Sequence, residues 1–136
     1  MLKIGINGFG RIGRLVLRAF LEKEENDIKI LAINDLGNLQ QNIHLLEYDT
    51  VHGKFPFETS IKDQIANIDG EEVKFYSKRD PEEIPWDNHG IDIVLECTGI
   101  FTKAEDARKH IKGSVKKVLI SAPSSNADIT VVYGVN

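Results

Sequence analysis

The sequence predicts an α/β fold: a doubly wound, mostly parallel sheet with an additional antiparallel hairpin region. Three observations predict it. Lys3-Ile4-Gly5-Ile6-Asn7 is a short apolar strand that runs straight into Gly8-Phe9-Gly10-Arg11-Ile12-Gly13 and then into an amphipathic helix. Ile28 to Ile33 is a second apolar strand, and Asp35 closes it, about 20 positions after the last glycine, the spacing of a Rossmann-type unit. Strand and helix patterns then alternate along the chain, as they do in parallel βαβ units.

Each element has its own reason. Leu2 to Asn7 reads as a buried parallel strand. Arg11 to Lys23 reads as a helix, because Ile12, Leu15, Val16, Ala19 and Phe20 recur at i, i+3, i+4 spacing. Ile28 to Asn34 is nearly continuous and apolar, as a strand covered on both faces should be. Leu39 to Glu47 is a short helix, and Val51 to Gly53 a turn. Lys54 to Ile61 and Asp63 to Ile68 read as short strands. Asp69-Gly70 signals a hairpin, with Glu72 to Ser77 returning. Arg79-Asp80-Pro81 opens a loop that Pro85-Trp86 prolongs, with Trp86 anchoring it on the sheet. Ile91 to Glu96 is a further strand. Lys103 to Ile111 reads as a helix with Thr102 at its N-cap and Glu105 at the capping-box position. Lys116 to Ser121 is a strand, Pro123 to Ala127 a polar loop, and Ile129 to Val135 a last strand of ambiguous direction.

Length and composition bound the function. One domain fits the 136 residues. The net charge of −4 argues against nucleic acid as the main partner, since phosphate binding needs concentrated Lys and Arg. A single cysteine, Cys97, excludes an internal disulfide and any multi-cysteine metal site. No apolar stretch approaches the roughly 20 residues that span a bilayer, and the first apolar run, Ile4 to Ile6, is too short for a signal peptide, so none is expected. These readings make the expected location the cytoplasm, with no membrane partner and no metal.

The glycine turn carries the chemistry. Gly8 permits the tight turn, Gly10 lets backbone approach a pyrophosphate, and Gly13 allows close packing of helix on strand. The N–H groups of Arg11 and Ile12 then point at phosphate, with the helix dipole adding to the attraction. A turn that only packs is the alternative, and the strand before it, the helix after it and Asp35 beyond weigh against that. At the end of its strand, Asp35 can accept both ribose hydroxyls of an adenosine and would repel a 2′-phosphate, which favours NAD over NADP. It can also cap the helix that follows. Cys97 tempts a nucleophile reading, but nothing in the sequence demands the cation its activation needs, and a buried structural cysteine is the simpler reading. His44, His52, His89 and His110 are scattered without metal-type spacing. No catalytic residue is assigned within the chain.

Seven ordered blocks then give a specific resemblance. Ile6 to Arg14, Ala32 to Leu36, Leu45 to Gly53, Arg79-Asp80-Pro81, Glu96-Cys97-Thr98-Gly99-Ile100-Phe101-Thr102, Lys117 to Pro123 and Tyr133 to Asn136 follow in order and spacing. Together they resemble the amino-terminal half of glyceraldehyde-3-phosphate dehydrogenases, over essentially the whole chain. The resemblance implies that Arg11 and Ile12 bind pyrophosphate and Asp35 the adenine ribose. It implies that Arg79 contacts the adenine side, that Thr98, Gly99 and Phe101 wall the adenine and ribose, that Ser121 faces the nicotinamide end, and that Asn7 lies beneath the cofactor. Cys97 falls where the family commonly has serine, so it is not the family's nucleophile.

The family's Ser-Asn-Ala-Ser-Cys-Thr-Thr-Asn block and its histidine base do not occur in these residues. The chain is therefore expected to be an incomplete NAD-binding domain, 1–136, that lacks the catalytic domain, is inactive alone and tends to self-associate. The resemblance implies a homotetrameric parent that oxidises and phosphorylates glyceraldehyde 3-phosphate with inorganic phosphate, transferring hydride to NAD. An erythrose-4-phosphate dehydrogenase fragment and a non-catalytic nucleotide-binding module are the alternatives.

Overall fold

In a computed structural model, residues 1–22, 27–48, 57–101 and 103–121 are described. Seven strands form one sheet: β1 Leu2–Asn7, β2 Ile28–Asn34, β3 Thr59–Lys62, β4 Ile65–Ile68, β5 Glu71–Tyr76, β6 Ile93–Glu96 and β7 Lys117–Ile120. The helices are α1 Arg11–Glu22, α2 Leu39–Glu47 and the single turn α3 Ala104–Ala107. The strand order is β3-β4-β5-β2-β1-β6-β7. β5, β2, β1, β6 and β7 are mutually parallel, and β3 and β4 extend the sheet antiparallel beyond β5. From β1 the chain winds outward to β2 and β5, then back to the other side for β6 and β7. The order therefore reverses between β1 and β6, and in such sheets ligands bind at the carboxyl ends of the strands at that switch point. The fold class expected from the sequence, including the added hairpin, is the one observed.

Two apolar layers hold the sheet. One face packs Ile4, Ile6, Phe9, Leu17, Ile33, Ile43, Leu46 and Phe75 beneath α1 and α2. The other packs Ala32, Ile84, Trp86, Ile91, Val94 and Val115. That second face is closed by 3-10 turns at Pro81–Glu83 and Trp86–His89 rather than by long helices. A bulge in β2 keeps both faces apolar. Ile4 pairs with Ile30 but Gly5 pairs with Ala32, so the extra residue, Leu31, joins Ala32 on the second face. Trp86 is fully buried, and a Cβ on Gly5 would lie 2.5 Å from its ring. The glycine in the middle of β1 is thus the floor for the indole.

Several boundaries differ from the sequence-based expectation. Asp63 is not strand. It adopts a left-handed conformation (φ 57°) that turns β3 into β4. Asp69 and Gly70 are both left-handed (φ 53° and 82°), the geometry that a two-residue hairpin joining right-twisted strands requires. β6 begins two residues later than expected, at Ile93. The expected Lys103–Ile111 helix is α-helical only over α3 and tightens to a 3-10 turn at Arg108–His110. With three residues per turn, Ala107 and His110 share a face, and both are buried while Ile111 is exposed. The polar His110, not the apolar Ile111, enters the core. Lys103 occupies the N-cap position of α3 without a side-chain capping bond. The expected cap Thr102, the Val51–Gly53 turn, the Pro123–Ala127 loop and the Ile129–Val135 strand lie outside the described residues, as does the first part of the Lys54–Ile61 strand.

Because the Gly5 position has no room for even a methyl group, Gly5→Ala should destabilise the fold by about 1–3 kcal/mol, the range for overpacking a core. Denaturant titration reads this directly, and unchanged stability would show that the indole has space to shift.

Candidate functional site

The site is built at the carboxyl edge, from the residues that end the parallel strands. Gly8 leaves β1 with φ 95°, and its N–H donates to Asn34 O at 2.7 Å. A Cβ on Gly8 would sit 2.8 Å from Thr98 N and 2.9 Å from the Cys97 carbonyl carbon. A Cβ on Gly13 would sit 2.3 Å from Gly8 O, so α1 can approach the turn only through glycine. Gly10 is different: a Cβ there would meet no atom within 4 Å. Two glycines of the motif are thus required by the protein's own packing, while the third leaves an open cradle. The exposed residues Arg11 and Ile12 begin α1 beside that cradle. The first-turn N–H groups of a helix have no intrahelical partner and attract anions. This arrangement fits a pyrophosphate.

Asp35 braces the turn. Its Oδ1 accepts from Phe9 N at 2.8 Å, and its Oδ2 accepts from Gly37 N at 2.9 Å and Asn42 Nδ2 at 3.0 Å. A carboxylate offers about four acceptor positions, so Oδ1 retains room for one hydroxyl rather than two. Nor does Asp35 cap the following helix. Asn38 does that, accepting from Gln41 N at 3.1 Å. Arg14 ties the same turn through Nη1 to Phe9 O at 3.1 Å, and its buried Nε has no partner among the described residues.

Beneath the turn lies a polar row that the sequence reading did not anticipate. Asn34, Asn7 and Glu96 are the last residues of β2, β1 and β6, and the register places them side by side. Asn34 Nδ2 donates to Asn7 Oδ1 at 2.8 Å, and Asn7 Nδ2 donates to Glu96 Oε1 at 2.6 Å. Asn34 also exchanges two bonds with the Lys78 backbone, at 2.8 and 2.9 Å. Glu96 Oε2 accepts from Thr98 N at 2.9 Å and from the Thr98 hydroxyl. His110 Nε2 lies 2.8 Å from Glu96 Oε1, and Trp86 Nε1 donates to His110 Nδ1 at 3.1 Å. Burial would push the Glu96 carboxyl up, but the hydrogen bonds from His110, Thr98 and Asn7 outweigh it and hold the group below the usual carboxylate range. A signal for this row exists in the sequence. Three apolar strands each end in a polar residue, but only the register shows that the three align.

The remaining candidates distribute along the same edge. Arg79 is exposed and follows Lys78, which Asn34 locks in place. Thr98 is half-buried, Gly99 is exposed and left-handed (φ 78°), and Phe101 is half-buried two residues further on. The exposed Ser121 ends β7, its N–H bonded to Glu96 O at 3.0 Å. Cys97 is half-buried against the first apolar layer. Burial pushes its thiol up, a hydrogen bond with Ser121 pulls it down, and the negative charge of Glu96 raises it again, for a net rise. That is the opposite of an activated nucleophile. Among the described residues, no group of three or more His, Cys, Asp or Glu side chains could hold a metal ion. A cavity of about 610 Å³ beside Leu17, Phe20, Ile28 and Val73 opens at the amino edge of the strands, away from this site.

The glycine turn, its carboxylate brace and the switch point define a dinucleotide-binding domain of the dehydrogenase class. Comparison with known proteins makes the assignment specific. The family described as "Glyceraldehyde 3-phosphate dehydrogenase, NAD binding domain" matches residues 2–104. The chain is 54% identical over 136 residues to glyceraldehyde-3-phosphate dehydrogenase 1 of Bacillus cereus, covering 100% of this chain and 40% of that protein. It is 51% identical over 137 residues to the plasmid-encoded glyceraldehyde-3-phosphate dehydrogenase of Cupriavidus necator, covering 99% and 41%. Against the Geobacillus stearothermophilus enzyme the identity is 50% over 135 residues, covering 99% and 40%. The chain belongs to the glyceraldehyde-3-phosphate dehydrogenase family through its NAD-binding domain, and it spans about two-fifths of the length of these relatives.

Two expectations follow from the geometry. Gly10→Ala should change stability by no more than about 1 kcal/mol yet weaken NAD by about tenfold or more, the scale of one charge-assisted hydrogen bond. Gly8→Ala should instead cost about 1–3 kcal/mol of stability through backbone strain. Unfolding curves and NAD titration of both variants check the pair. The raised thiol and its partial burial predict that iodoacetamide modifies Cys97 at pH 8 more slowly than free cysteine, and a rate equal to that of free cysteine would contradict the assignment.

Proposed function

We propose that this chain supplies the cofactor half of an enzyme that oxidises and phosphorylates glyceraldehyde 3-phosphate, passing hydride to NAD. One observation carries the reading. Asp35, at the end of β2, holds the Phe9 amide of the glycine turn and keeps one acceptor position free beside an open cradle at Gly10. In this reading the Arg11 and Ile12 amides hold the pyrophosphate. Asp35 accepts a ribose hydroxyl, and its charge disfavours a 2′-phosphate. Arg79, Thr98, Gly99 and Phe101 border the adenine side, Ser121 the nicotinamide side, and Asn7 underlies the turn.

NAD, when bound, supplies the hydride acceptor. This chain's own residues bind it, orient it and fix its register on the sheet. The nucleophile and base implied by the resemblance are not among the 136 residues, so aldehyde oxidation is assigned to the whole protein and not to this domain alone. The same reading makes the whole protein a cytoplasmic homotetramer. Among the described residues, no helix is long and apolar enough to cross a membrane. Self-association of the isolated chain is expected through exposed apolar side chains such as Ile111 and Leu119.

Asp35→Ala distinguishes the two roles of the carboxylate. Loss of the Phe9 brace weakens both cofactors, while loss of the hydroxyl acceptor and of the repulsion shifts the NAD to NADP preference by about tenfold or more toward NADP. Calorimetric titration with NAD and with NADP measures both, and equal losses would remove Asp35 from the ribose site. A dehydrogenase assay with glyceraldehyde 3-phosphate and inorganic phosphate should show activity in the whole protein and none in the 136-residue chain.

A further inference from the structure

We propose that Glu96 is the positioning residue of the dinucleotide turn: its buried carboxylate sets the spacing between the glycine turn after β1 and the Thr98-Gly99 turn after β6, and so controls NAD affinity without touching the cofactor. The proposal rests on the reading that NAD binds across these strand ends.

Four features of the structure carry it. First, Glu96 is 1% exposed, and the donors to it come from three separate parts of the chain: Asn7 at the end of β1, Thr98 after β6, and His110 after α3. Second, those donors are neutral. The Trp86 indole N–H donates to His110 Nδ1, so that nitrogen is unprotonated, and the ring proton sits on Nε2, facing Glu96. Asn7 Nδ2 and His110 Nε2, 3.5 Å apart, then face each other as two donors to one oxygen and not as a bonded pair. Third, a buried charge without a partner charge is a poor way to stabilise a core, since a well-packed apolar substitute often serves as well. Its placement at this point is explained by what its donors hold in place. Fourth, Thr98 N, one of those donors, lies 2.8 Å from where a Cβ on Gly8 would stand, as does Thr98 Cγ2, so the two turns are in close contact. A movement of the Thr98 turn is therefore transmitted to the first glycine of the cradle.

The acceptor count makes the role specific. Each carboxylate oxygen takes two donors: Asn7 and His110 on Oε1, and the Thr98 amide and hydroxyl on Oε2. Glutamine has the same shape but replaces one oxygen with an N–H donor. If that donor faces Thr98, the Thr98 turn must withdraw. If it faces Asn7, that amide must rotate and give up its bond from Asn34. Either response disturbs a residue beside the cradle.

The test compares Glu96→Gln with Val94→Ala, a buried position two residues earlier on the same strand whose apolar side chain can make no hydrogen bond. NAD dissociation constants are measured by calorimetry on the purified protein, at a temperature where circular dichroism shows each variant folded. The Thr98 and Gly8 amide resonances of the cofactor-free protein are followed by NMR. Glu96→Gln should raise the dissociation constant at least about tenfold and shift both amide resonances. Val94→Ala should lose stability but keep NAD affinity within about twofold and leave those resonances in place. Glu96→Asp keeps the charge and shortens its reach, so it should weaken NAD at least about threefold, and it decides the matter if Glu96→Gln does not fold. Wild-type affinity in a folded Glu96→Gln, or in Glu96→Asp where the former does not fold, would overturn the proposal. So would an equal loss in Val94→Ala. Failure of the wild-type protein to bind NAD at millimolar concentration would instead overturn the site reading on which the proposal depends.

Discussion

An ionised carboxylate buried where the strand order reverses must be surrounded by donors, and the carboxyl edge of this sheet is arranged around that need. Glu96 ends β6 in register with Asn7 of β1, and Asn7 in register with Asn34 of β2. A parallel register puts paired residues on one face of the sheet, so three strand-terminal polar side chains become a continuous row. Each member satisfies the next, from the Lys78 backbone through Asn34 and Asn7 to Glu96, and then to His110 and Trp86. Leaving any one of them unpaired would expose the others to the cost of a buried unsatisfied group.

The turn above this row meets two opposed demands. It must lie close to its neighbours at Gly8 and Gly13, where any side chain would collide with backbone, and stay open at Gly10, where nothing is near. Asp35 reconciles them from the outside. Among the described residues three of its acceptor positions hold protein donors, so a single carboxylate shapes the turn and leaves one position open at its edge. Order already built into the turn by these bonds lowers the entropy that binding a dinucleotide must remove.

Much of this was legible in the sequence, and the rest was hidden for identifiable reasons. The parallel strands show as apolar runs, the Asp69-Gly70 hairpin by its turn chemistry, and the glycine motif by the strand and helix around it. Residue-by-residue roles at the cofactor edge follow from family resemblance, which spacing alone would not give. Asp63 was not legible as a turn, because nothing local marks an aspartate as left-handed. The expected Lys103–Ile111 helix tightens to a 3-10 turn at Arg108–His110, a change that helical periodicity does not show. Tertiary contacts decide it: His110 turns inward to Trp86 and Glu96, whereas Ile111 stays exposed. Glu96 itself reads in the sequence only as the end of a strand and the start of a family block. Its importance depends on register, and a register between strands some 90 positions apart is not written in either strand.

The two faces of the sheet bear different burdens as a result. α1 and α2 cover the first face with apolar side chains whose backbone groups are already paired within the helices. The second face is covered by short 3-10 turns, which leave more backbone to satisfy. Side chains do that work: Asp80 accepts from Glu82 N, Asp87 from Ser114 N, and Asp92 from Lys3 N, while the Ser114 hydroxyl donates to Ile91 O. Trp86 is the largest apolar group on that side, and its indole N–H is the start of the line that ends at the Thr98 turn. Both faces are therefore hydrogen-bonded to the strand ends: the second through Trp86 and His110 to Glu96, the first through Arg14 of α1 and Asn42 of α2 to the glycine turn and its Asp35 brace.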